Sequence, residues 1–192
     1  MTWTNEQLMQ QFQNGNLEAL GILYEQLHEP LYCFLFRYTK DEQLSVDIVQ
    51  DAFEVLQKKK QHFDALQGTV KSYLFQIAYR LLINKLNRRK RWQALLPFLV
   101  PTERKYLQTE ETLVIQQAIL NLPDKQRAVI LLAYYEDLPM NEIAMILSIP
   151  IGTVKSRLHN AMKALKLELK EDFQHERGIY KRAKSYENAR SI

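Results

Sequence analysis

The sequence predicts an all-α protein made of two small helical domains joined by a linker. Apolar residues recur at spacings of three and four along almost the whole chain, which is the period of a helix with one buried face. Only 5 glycines and 6 prolines occur in 192 residues, and no segment shows the apolar–polar alternation of a strand. Two of those prolines, in "LLPFLVPTERKYLQ", interrupt the helical pattern near mid-chain and indicate the linker.

Local start signals predict the first helices. Thr4 and Gln7 have the spacing of a capping box, and Asn16 and Asp41 are residue types that cap helix N-termini. Pro30 lacks a backbone N–H, so we expect it to kink the second helix or restart it before "LYCFLFRY". These signals predict a short first helix, a second that Pro30 disturbs, and a third that begins after Asp41.

The third predicted helix has an apolar face and an acidic one. The apolar face consists of Leu44, Ile48, Ala52, Val55 and Leu56. Another face, which we call the acidic stripe, consists of Asp47, Gln50, Asp51 and Glu54. Such a stripe is either a solvated surface or a docking site for a basic partner, and the residues alone leave both open.

The fourth predicted helix, "VKSYLFQIAYRLLINKLNRRKRW", follows Gly68 and Thr69, which are suited to a helix start. We expect it to bury a face made of Leu74, Ile77, Ala78, Leu81 and Leu86. The opposite side of the same helix carries the polar residues Gln76, Arg80, Asn84, Asn87 and Arg91.

The end of this helix is strongly basic, with five cations between Lys85 and Arg91 and Trp92 beside them. The helix dipole favours one or two cations at a C-terminus, so five of them indicate an anionic partner. Aromatic residues near this surface either stack on unpaired bases or pack in the core. These aromatic residues are Phe63, Tyr73, Tyr79 and Trp92.

Two short helices around Ser148 have the pattern of a helix-turn-helix, and the small Ala144 lies where the second would cross the first. The apolar residues spaced to join them are Ile143, Leu147, Ile149, Val154 and Leu158. The second helix begins with side chains suited to base edges and phosphates in a major groove, namely Thr153, Lys155, Ser156 and Arg157. Periodicity alone equally allows an ordinary helical hairpin with a solvated face.

These patterns predict the domain boundaries. We expect a helical domain over 1–92, a linker over 93–110, a helix-turn-helix domain over 111–170 and a polar tail over 171–192. Within the second domain, two helices, Glu111–Asn121 and Lys125–Tyr135, precede the helix-turn-helix.

Catalysis, cofactors and metals find little support in the sequence. The four histidines are far apart and lack the spacing of zinc ligands, and no glycine-rich phosphate loop is present. Cys33, the single cysteine, lies in an apolar run and is expected to be a small buried hydrophobe. The N-terminus lacks a signal-peptide pattern and no apolar run reaches membrane-spanning length, so we expect a cytoplasmic protein without membrane insertion.

Three segments, in this order, resemble the extracytoplasmic-function sigma factors, which are promoter-specificity subunits of bacterial RNA polymerase. "YTKDEQLSVDIVQDAF" resembles the second conserved region of the family, and "SYLFQIAYRLLINKLNRRKR" resembles the helix that follows it. "AILNLPDKQRAVILLAYYEDLPMNEIAMILSIPIGTVKSRLHNAMKAL" resembles the fourth region almost throughout. The chain departs from the family at Gln57, where Trp is common, at Tyr79-Arg80, where Arg-Asn is common, and at Asn84, where Asp is frequent. Ser148 takes a turn position that often holds Gly.

The resemblance implies a role for each surface. The acidic stripe would bind the clamp helices of the largest polymerase subunits. The minus-ten promoter element would contact Phe63, Gln76, Arg80, Asn84, Asn87, Arg88 and Arg91. The minus-thirty-five element, as duplex, would contact Thr153, Lys155, Ser156, Arg157 and Asn160. The implied partners are core RNA polymerase, promoter DNA and an anti-sigma factor, and the chain itself would not be an enzyme.

Two other functions fit parts of the pattern. A stand-alone dimeric helix-turn-helix regulator would explain the second domain but would leave the acidic stripe and the basic helix end unexplained. The other is a helical adaptor that binds only proteins, which run-off transcription with purified core polymerase would distinguish from a sigma factor.

Overall fold

The computed structural model describes residues 3–95 and 110–173, and every regular element in these two ranges is helical. The first range forms α1 to α4 and a short 3₁₀ turn, Lys60–His62, and the second forms α5 to α8. The helices are α1 (Asn5–Gln13), α2 (Leu17–Thr39), α3 (Glu42–Lys58), α4 (Val70–Leu95), α5 (Glu110–Asn121), α6 (Asp124–Ile130), α7 (Met140–Leu147) and α8 (Ile151–Phe173).

The predicted helix starts are confirmed by their hydrogen bonds. Thr4 and Gln7 form a reciprocal capping box at the start of α1. Asn16 accepts from the backbone N–H of Glu18, and Asp41 accepts from that of Leu44. Each cap satisfies a backbone N–H that the first helical turn leaves without a partner.

Of the two outcomes expected at Pro30, a kink or a restart, the restart does not occur. Helix α2 runs without interruption from Leu17 to Thr39, with Pro30 inside it. Pro30 removes only one hydrogen bond of the helix, whereas Leu27, Leu31 and Phe34 on either side of it are all buried in one core. The burial of this face outweighs the lost bond.

The first four helices pack around one part of the hydrophobic cluster, called here the first core, and the last four around another, the second core. In the first, α2 packs on α1 and α3, and α3 packs on α4. Its largest fully buried side chains include Phe12, Phe34, Tyr38 and Phe75. Cys33 is half-buried rather than fully buried.

The helix-turn-helix is present as predicted. Ile143 of α7 and Val154 of α8 are fully buried where the two helices pack together, and Leu147 is almost so. Ser148 between them has φ 53° and ψ 49°, a left-handed conformation that glycine adopts more easily.

The helix predicted over Lys125–Tyr135 begins one residue earlier and changes its winding. Regular α6 ends at Ile130, and Leu131–Tyr135 continue as a π-helical turn in which the Glu136 N–H donates to the Leu131 carbonyl. The wider turn brings Glu136 into a buried position.

The predicted linker and tail lie mostly outside the described residues. Helix α4 extends to Leu95 and α5 begins at Glu110, so the ends of the predicted linker are helical. Helix α8 continues to Phe173, three residues into the predicted tail.

Arg127 of α6 is the main polar connection between the α5–α6 turn and the first core. Its guanidinium donates to the carbonyls of Ile119, Leu120 and Leu122 at the end of α5, where helical hydrogen bonds run out. It also donates to the carbonyl of Tyr38, at 3.2 Å, and lies over the Tyr38 ring.

We expect Arg127→Met to lower the free energy of unfolding by about 2–4 kcal/mol, because several buried carbonyls lose a charged donor. Chemical denaturation of the full chain measures this. Lys125→Met, at an exposed position of the same helix, is the matched control and should change stability little. Equal stability of the two variants would contradict the role given to Arg127.

Candidate nucleic-acid interface

Helix α4 has one face in the first core and a second face that meets the helix-turn-helix. Of the residues predicted to be buried, Leu74, Ile77 and Ala78 are buried, and Leu81 and Leu86 are partly so. The helix packs on α3 through its core face and on α7 through its polar side. One helix therefore belongs to the first core and also supports the second.

The turn of the helix-turn-helix engages two of the predicted minus-ten residues. The Gln76 side-chain amide donates to the Met145 carbonyl at 2.6 Å, and the Arg80 guanidinium donates to Ser148 Oγ at 3.1 Å. The Gln76 amide is therefore engaged inside the protein, while Arg80 is exposed and bonds the turn at the surface.

A buried ion pair also joins α4 to the segment that precedes α7. Glu136 is 8 % exposed, and its carboxylate lies 3.0 Å from the ammonium of Lys71 on α4. Lys71 also donates to the Glu136 carbonyl, and Thr69 donates to the carboxylate of Glu142 at 2.8 Å. A buried carboxylate without a partner is unfavourable, so Glu136 constrains how the two cores pack.

A second cluster of contacts joins α2 to the other core. Burial raises the pKa of the Tyr38 hydroxyl, which donates to the Asp124 carbonyl at 3.3 Å. Arg37 lies over the Tyr135 ring at 4.6 Å. The two cores thus meet along α4 and at the end of α2.

The predicted stacking residues are mostly in the interior. Phe63 is 9 % exposed and packs on Tyr73, with ring centroids 5.6 Å apart. Tyr79 is half-buried against Tyr38, and burial raises the pKa of its hydroxyl, an effect that nearby Arg157 opposes. Trp92, in contrast, is 56 % exposed.

The basic end of α4 divides into two sets of side chains. Three of the five cations pair with carboxylates: Lys85 with Asp51, Arg89 with Asp41, and Lys90 with Asp124. The predicted contacts Asn84, Asn87, Arg88 and Arg91 instead line an open cavity together with Trp92. The predicted minus-ten residues are therefore split between this end and the part of α4 covered by the turn.

The acidic stripe borders an apolar groove that the sequence did not predict. Gln50 and Glu54 line a groove between α2 and α3, of about 870 Å³, together with the exposed side chains of Leu17, Tyr24 and Val46. The spacing of Leu17 and Tyr24 predicted a helix, and nothing in it distinguished an open groove from a closed core.

The two aspartates of the stripe have partners inside the protein. Asp51 pairs with Lys85 at 2.7 Å, and Asp47 accepts from the Gln43 side chain at 2.8 Å. The stripe is thus anchored to α4 through Asp51, while Gln50 and Glu54 are exposed.

The start of α8 presents most of its predicted DNA contacts to solvent. Lys155, Ser156 and Asn160 are exposed, whereas Thr153 and Arg157 are half-buried. The Ser156 hydroxyl donates to the Thr153 carbonyl, which keeps it close to the helix. The arrangement offers one cation, one hydroxyl and one amide on the same short surface.

Residues 3–95 and 110–173 contain neither a metal-binding cluster nor a membrane-spanning helix. No group of three or more His, Cys, Asp or Glu residues in these ranges is arranged to hold a metal ion. None of the helices described there combines the length and apolar character needed to cross a membrane.

Comparisons with known proteins match both halves of the chain. Residues 23–92 match the family described as Sigma-70 region 2, and residues 112–165 match Sigma-70, region 4. The chain is 31% identical over 162 residues to the ECF RNA polymerase sigma factor SigL of Mycobacterium tuberculosis, covering 78% of this chain and 88% of SigL. It is 28% identical over 179 residues to the ECF RNA polymerase sigma factor SigW of Bacillus subtilis, covering 85% of this chain and 95% of SigW.

Two solved structures have a similar fold. The sigma factor RpoE from Bartonella quintana, in complex with the anti-sigma factor NepR, has a TM-score of 0.68 at 21% identity, covering 77% of this chain and 94% of RpoE. CnrH, in complex with the cytosolic domain of CnrY, has a TM-score of 0.67 at 22% identity, covering 86% of this chain and 96% of CnrH.

A double-mutant cycle measures the coupling energy between Lys71 of α4 and Glu136, which follows the π-helical turn. We expect Lys71→Met and Glu136→Gln each to destabilise the chain, with a coupling energy of about 1–3 kcal/mol, because the pair is largely removed from water. Thermal and denaturant unfolding of the two single variants and the double variant give this coupling. A coupling energy near zero would mean that the ion pair does not hold the two cores together.

Proposed function

The chain belongs to the extracytoplasmic-function sigma factors, and from this premise we propose which of its surfaces bind promoter DNA and which bind the polymerase. As a sigma factor it binds core RNA polymerase and directs initiation of transcription at specific promoters. The observation that carries the assignment of surfaces is that the polar faces of α4 and α8 lie outside both hydrophobic cores.

Helix α8 is the reader of the minus-thirty-five element. Its contacts with duplex DNA are Thr153, Lys155, Ser156, Arg157 and Asn160. In a helix-turn-helix the start of the second helix enters the major groove, and Val154 and Ala161 anchor the other side of α8 in the core. The exposure of Lys155, Ser156 and Asn160 supports this assignment.

Helix α4 is the reader of the minus-ten element. Its contacts are Gln76, Arg80, Asn84, Asn87, Arg88 and Arg91. The Gln76 amide is held by the Met145 carbonyl, so DNA replaces an internal partner there, whereas Arg80 is exposed and bonds Ser148 at the surface. The burial of Phe63 favours a supporting role under the loop before α4 rather than a direct contact.

The acidic stripe and the neighbouring groove bind core polymerase. Asp47, Gln50, Asp51 and Glu54 supply charge and amide groups that complement a basic helix. The exposed apolar side chains of Leu17, Tyr24 and Val46 lie beside these groups. Burying them against the polymerase would stabilise the complex.

The remaining assignments follow from the family. Sigma factors recognise promoters, and we infer that this chain has no catalytic activity of its own and acts in the cytoplasm, where the polymerase is. An anti-sigma partner is supported by the relative RpoE, whose structure was determined in complex with the anti-sigma factor NepR.

The experiment that tests this function is run-off transcription with purified core polymerase, together with DNA footprinting. We expect promoter-dependent product and protection only when both proteins are present. Specific protection of a palindromic site by the chain alone would instead support a stand-alone dimeric regulator.

Arg157→Ala should weaken recognition of the cognate promoter by about 1–3 kcal/mol, because a guanidinium can make two hydrogen bonds to guanine. Competition binding of the holoenzyme to cognate and altered minus-thirty-five elements measures it, with Lys163→Ala on the same helix as the control. An equal loss on every DNA sequence would mean that Arg157 contacts only a phosphate.

Asp51→Lys should weaken core-polymerase binding about tenfold, because it reverses a charge within the stripe. Since Asp51 also pairs with Lys85, the double variant Asp51→Lys, Lys85→Asp restores an internal ion pair without restoring the acidic surface. We expect that variant to fold normally and still bind polymerase weakly in a pull-down titration. Recovery of full binding would show that Asp51 matters only for its ion pair with Lys85. Glu29→Lys, a charge reversal at an exposed position of α2, is the control.

A further inference from the structure

The end of α1 is joined to the short 3₁₀ turn by hydrogen bonds that run in both directions. The Gln13 side-chain amide donates to the carbonyl of Lys60 at 2.8 Å and to that of Phe63 at 3.0 Å. In return, the Lys60 ammonium donates to the Phe12 carbonyl at 2.8 Å, and Gln61 donates to the Gln13 carbonyl at 2.9 Å. We call these four hydrogen bonds the α1 clamp. They satisfy carbonyls at the end of α1, where helical hydrogen bonds run out.

Helix α1 also holds the start of α4. The Glu6 carboxylate accepts a hydrogen bond from the backbone N–H of Val70, the first residue of α4, at 3.3 Å. A carboxylate in this position satisfies an open N–H and interacts favourably with the helix dipole. The loop over residues 64–69 therefore lies between two segments that the same helix holds in place.

The 64–69 loop is exposed and closed on itself. The side chains of residues 64–67 are exposed, and Leu66 is 96 % exposed. The Asp64 carboxylate accepts from the Leu66 N–H at 2.9 Å and from the Gln67 side chain at 3.2 Å. Proteins that separate or bend DNA commonly place an apolar side chain such as leucine against the face of an unstacked base. Leu66 is the side chain of this loop that is suited to such a contact.

The α1 clamp does not involve the second core. Its donors and acceptors all belong to α1 and to the segment that ends at Phe63. Thr69 at the other end of the loop, in contrast, donates to Glu142 of α7 at 2.8 Å. If the second core moves away from α4, that contact ends, whereas the clamp and the bond from Val70 to Glu6 are kept. A loop that is already held in its shape binds at a lower entropic cost.

We propose that Gln13 is a positioning residue for recognition of the minus-ten element. It fixes the carbonyls of Lys60 and Phe63, directly before the loop, and the loop then presents Leu66 to an unpaired base. Gln13 acts through the loop and not by touching DNA, since two backbone carbonyls engage its amide nitrogen. The inference rests on the proposed role of the first domain in reading the minus-ten element, and it adds α1 to that role.

Hydrogen exchange of the free chain tests the positioning. Gln13→Met keeps a side chain of similar length and removes both donors. We expect the backbone amides of residues 61–69 to exchange about fivefold faster or more in this variant, while those of α2 and α3 keep their rates, because opening is faster only where contacts are lost. Gln10→Met, at an exposed position of the same helix, should behave as wild type. Unchanged exchange of the loop in Gln13→Met would overturn the proposal.

Base discrimination by the holoenzyme tests the role in recognition. Gln13→Met should reduce the preference for cognate over base-substituted minus-ten elements about fivefold, which is at the low end of the effect of one wrong base pair. The preference for the cognate minus-thirty-five element and the affinity for core polymerase should not change. Competition binding with each set of promoters measures both preferences.

The matched control is a variant that lowers stability without touching the loop. Gln26→Gly, at an exposed position of α2 outside the groove, does so through helix propensity and should leave both promoter preferences intact. An equal loss of minus-ten discrimination in Gln26→Gly and Gln13→Met would show that Gln13 acts only through the stability of the fold, and the positioning role would be wrong.

Leu66→Ala shows whether Gln13 acts through the loop. We expect Leu66→Ala alone to lower minus-ten discrimination. Gln13→Met should cause little further loss in that background, because the contact that it positions is already gone. Additive losses, or no effect of Leu66→Ala, would contradict the proposal.

Run-off transcription separates this inference from the proposed function. If the wild-type chain initiates with core polymerase and Gln13→Met keeps its full minus-ten discrimination, the positioning role is wrong and the proposed function stands. Absence of promoter-dependent product with the wild-type chain would instead refute the proposed function, and the role of Gln13 in recognition with it.

Discussion

The contact of Lys71 with the buried carboxylate of Glu136 is the interaction on which the arrangement of the two cores depends. A carboxylate that is 8 % exposed needs a cation, and Lys71 of α4 is the cation that lies against it. Because α4 is also part of the first core, this pair joins the helix-turn-helix to that core, together with the contacts at the end of α2. The turn at Ser148 then lies within hydrogen-bond distance of Arg80, and the Met145 carbonyl within that of Gln76.

It follows that the part of α4 around Gln76 and Arg80 binds first the turn at Ser148 and then promoter DNA. The hydrogen bond from the neutral Gln76 amide contributes only about 0.5–1.5 kcal/mol, and for the Arg80 guanidinium a phosphate is a stronger acceptor than the Ser148 hydroxyl. Polymerase and promoter together can therefore replace the internal contacts without unfolding either core. The last turns of α4 are different, because Arg88, Arg91 and Trp92 are available before and after that exchange.

The features that could be predicted from the sequence are local ones. The caps at Thr4, Asn16 and Asp41, the helical periods and the helix-turn-helix each depend on residues a few positions apart, and all are present. Helix α2 does not restart at Pro30, and the regular helix expected through Tyr135 is absent, because packing overrode the local signal.

The features that the sequence missed are contacts between distant residues. Nothing local indicates that Arg127 reaches the Tyr38 carbonyl, that Asp51 pairs with Lys85, or that Leu17 and Tyr24 line an open groove.

Site-specific photo-crosslinking tests the central claim, that α4 exchanges the turn at Ser148 for promoter DNA, most directly. With Arg80→p-benzoylphenylalanine, the account predicts cross-links to the segment around Ser148 in the free protein and to promoter DNA in the active polymerase complex. Persistence of the internal cross-link in a transcribing complex, with none to DNA, would contradict it.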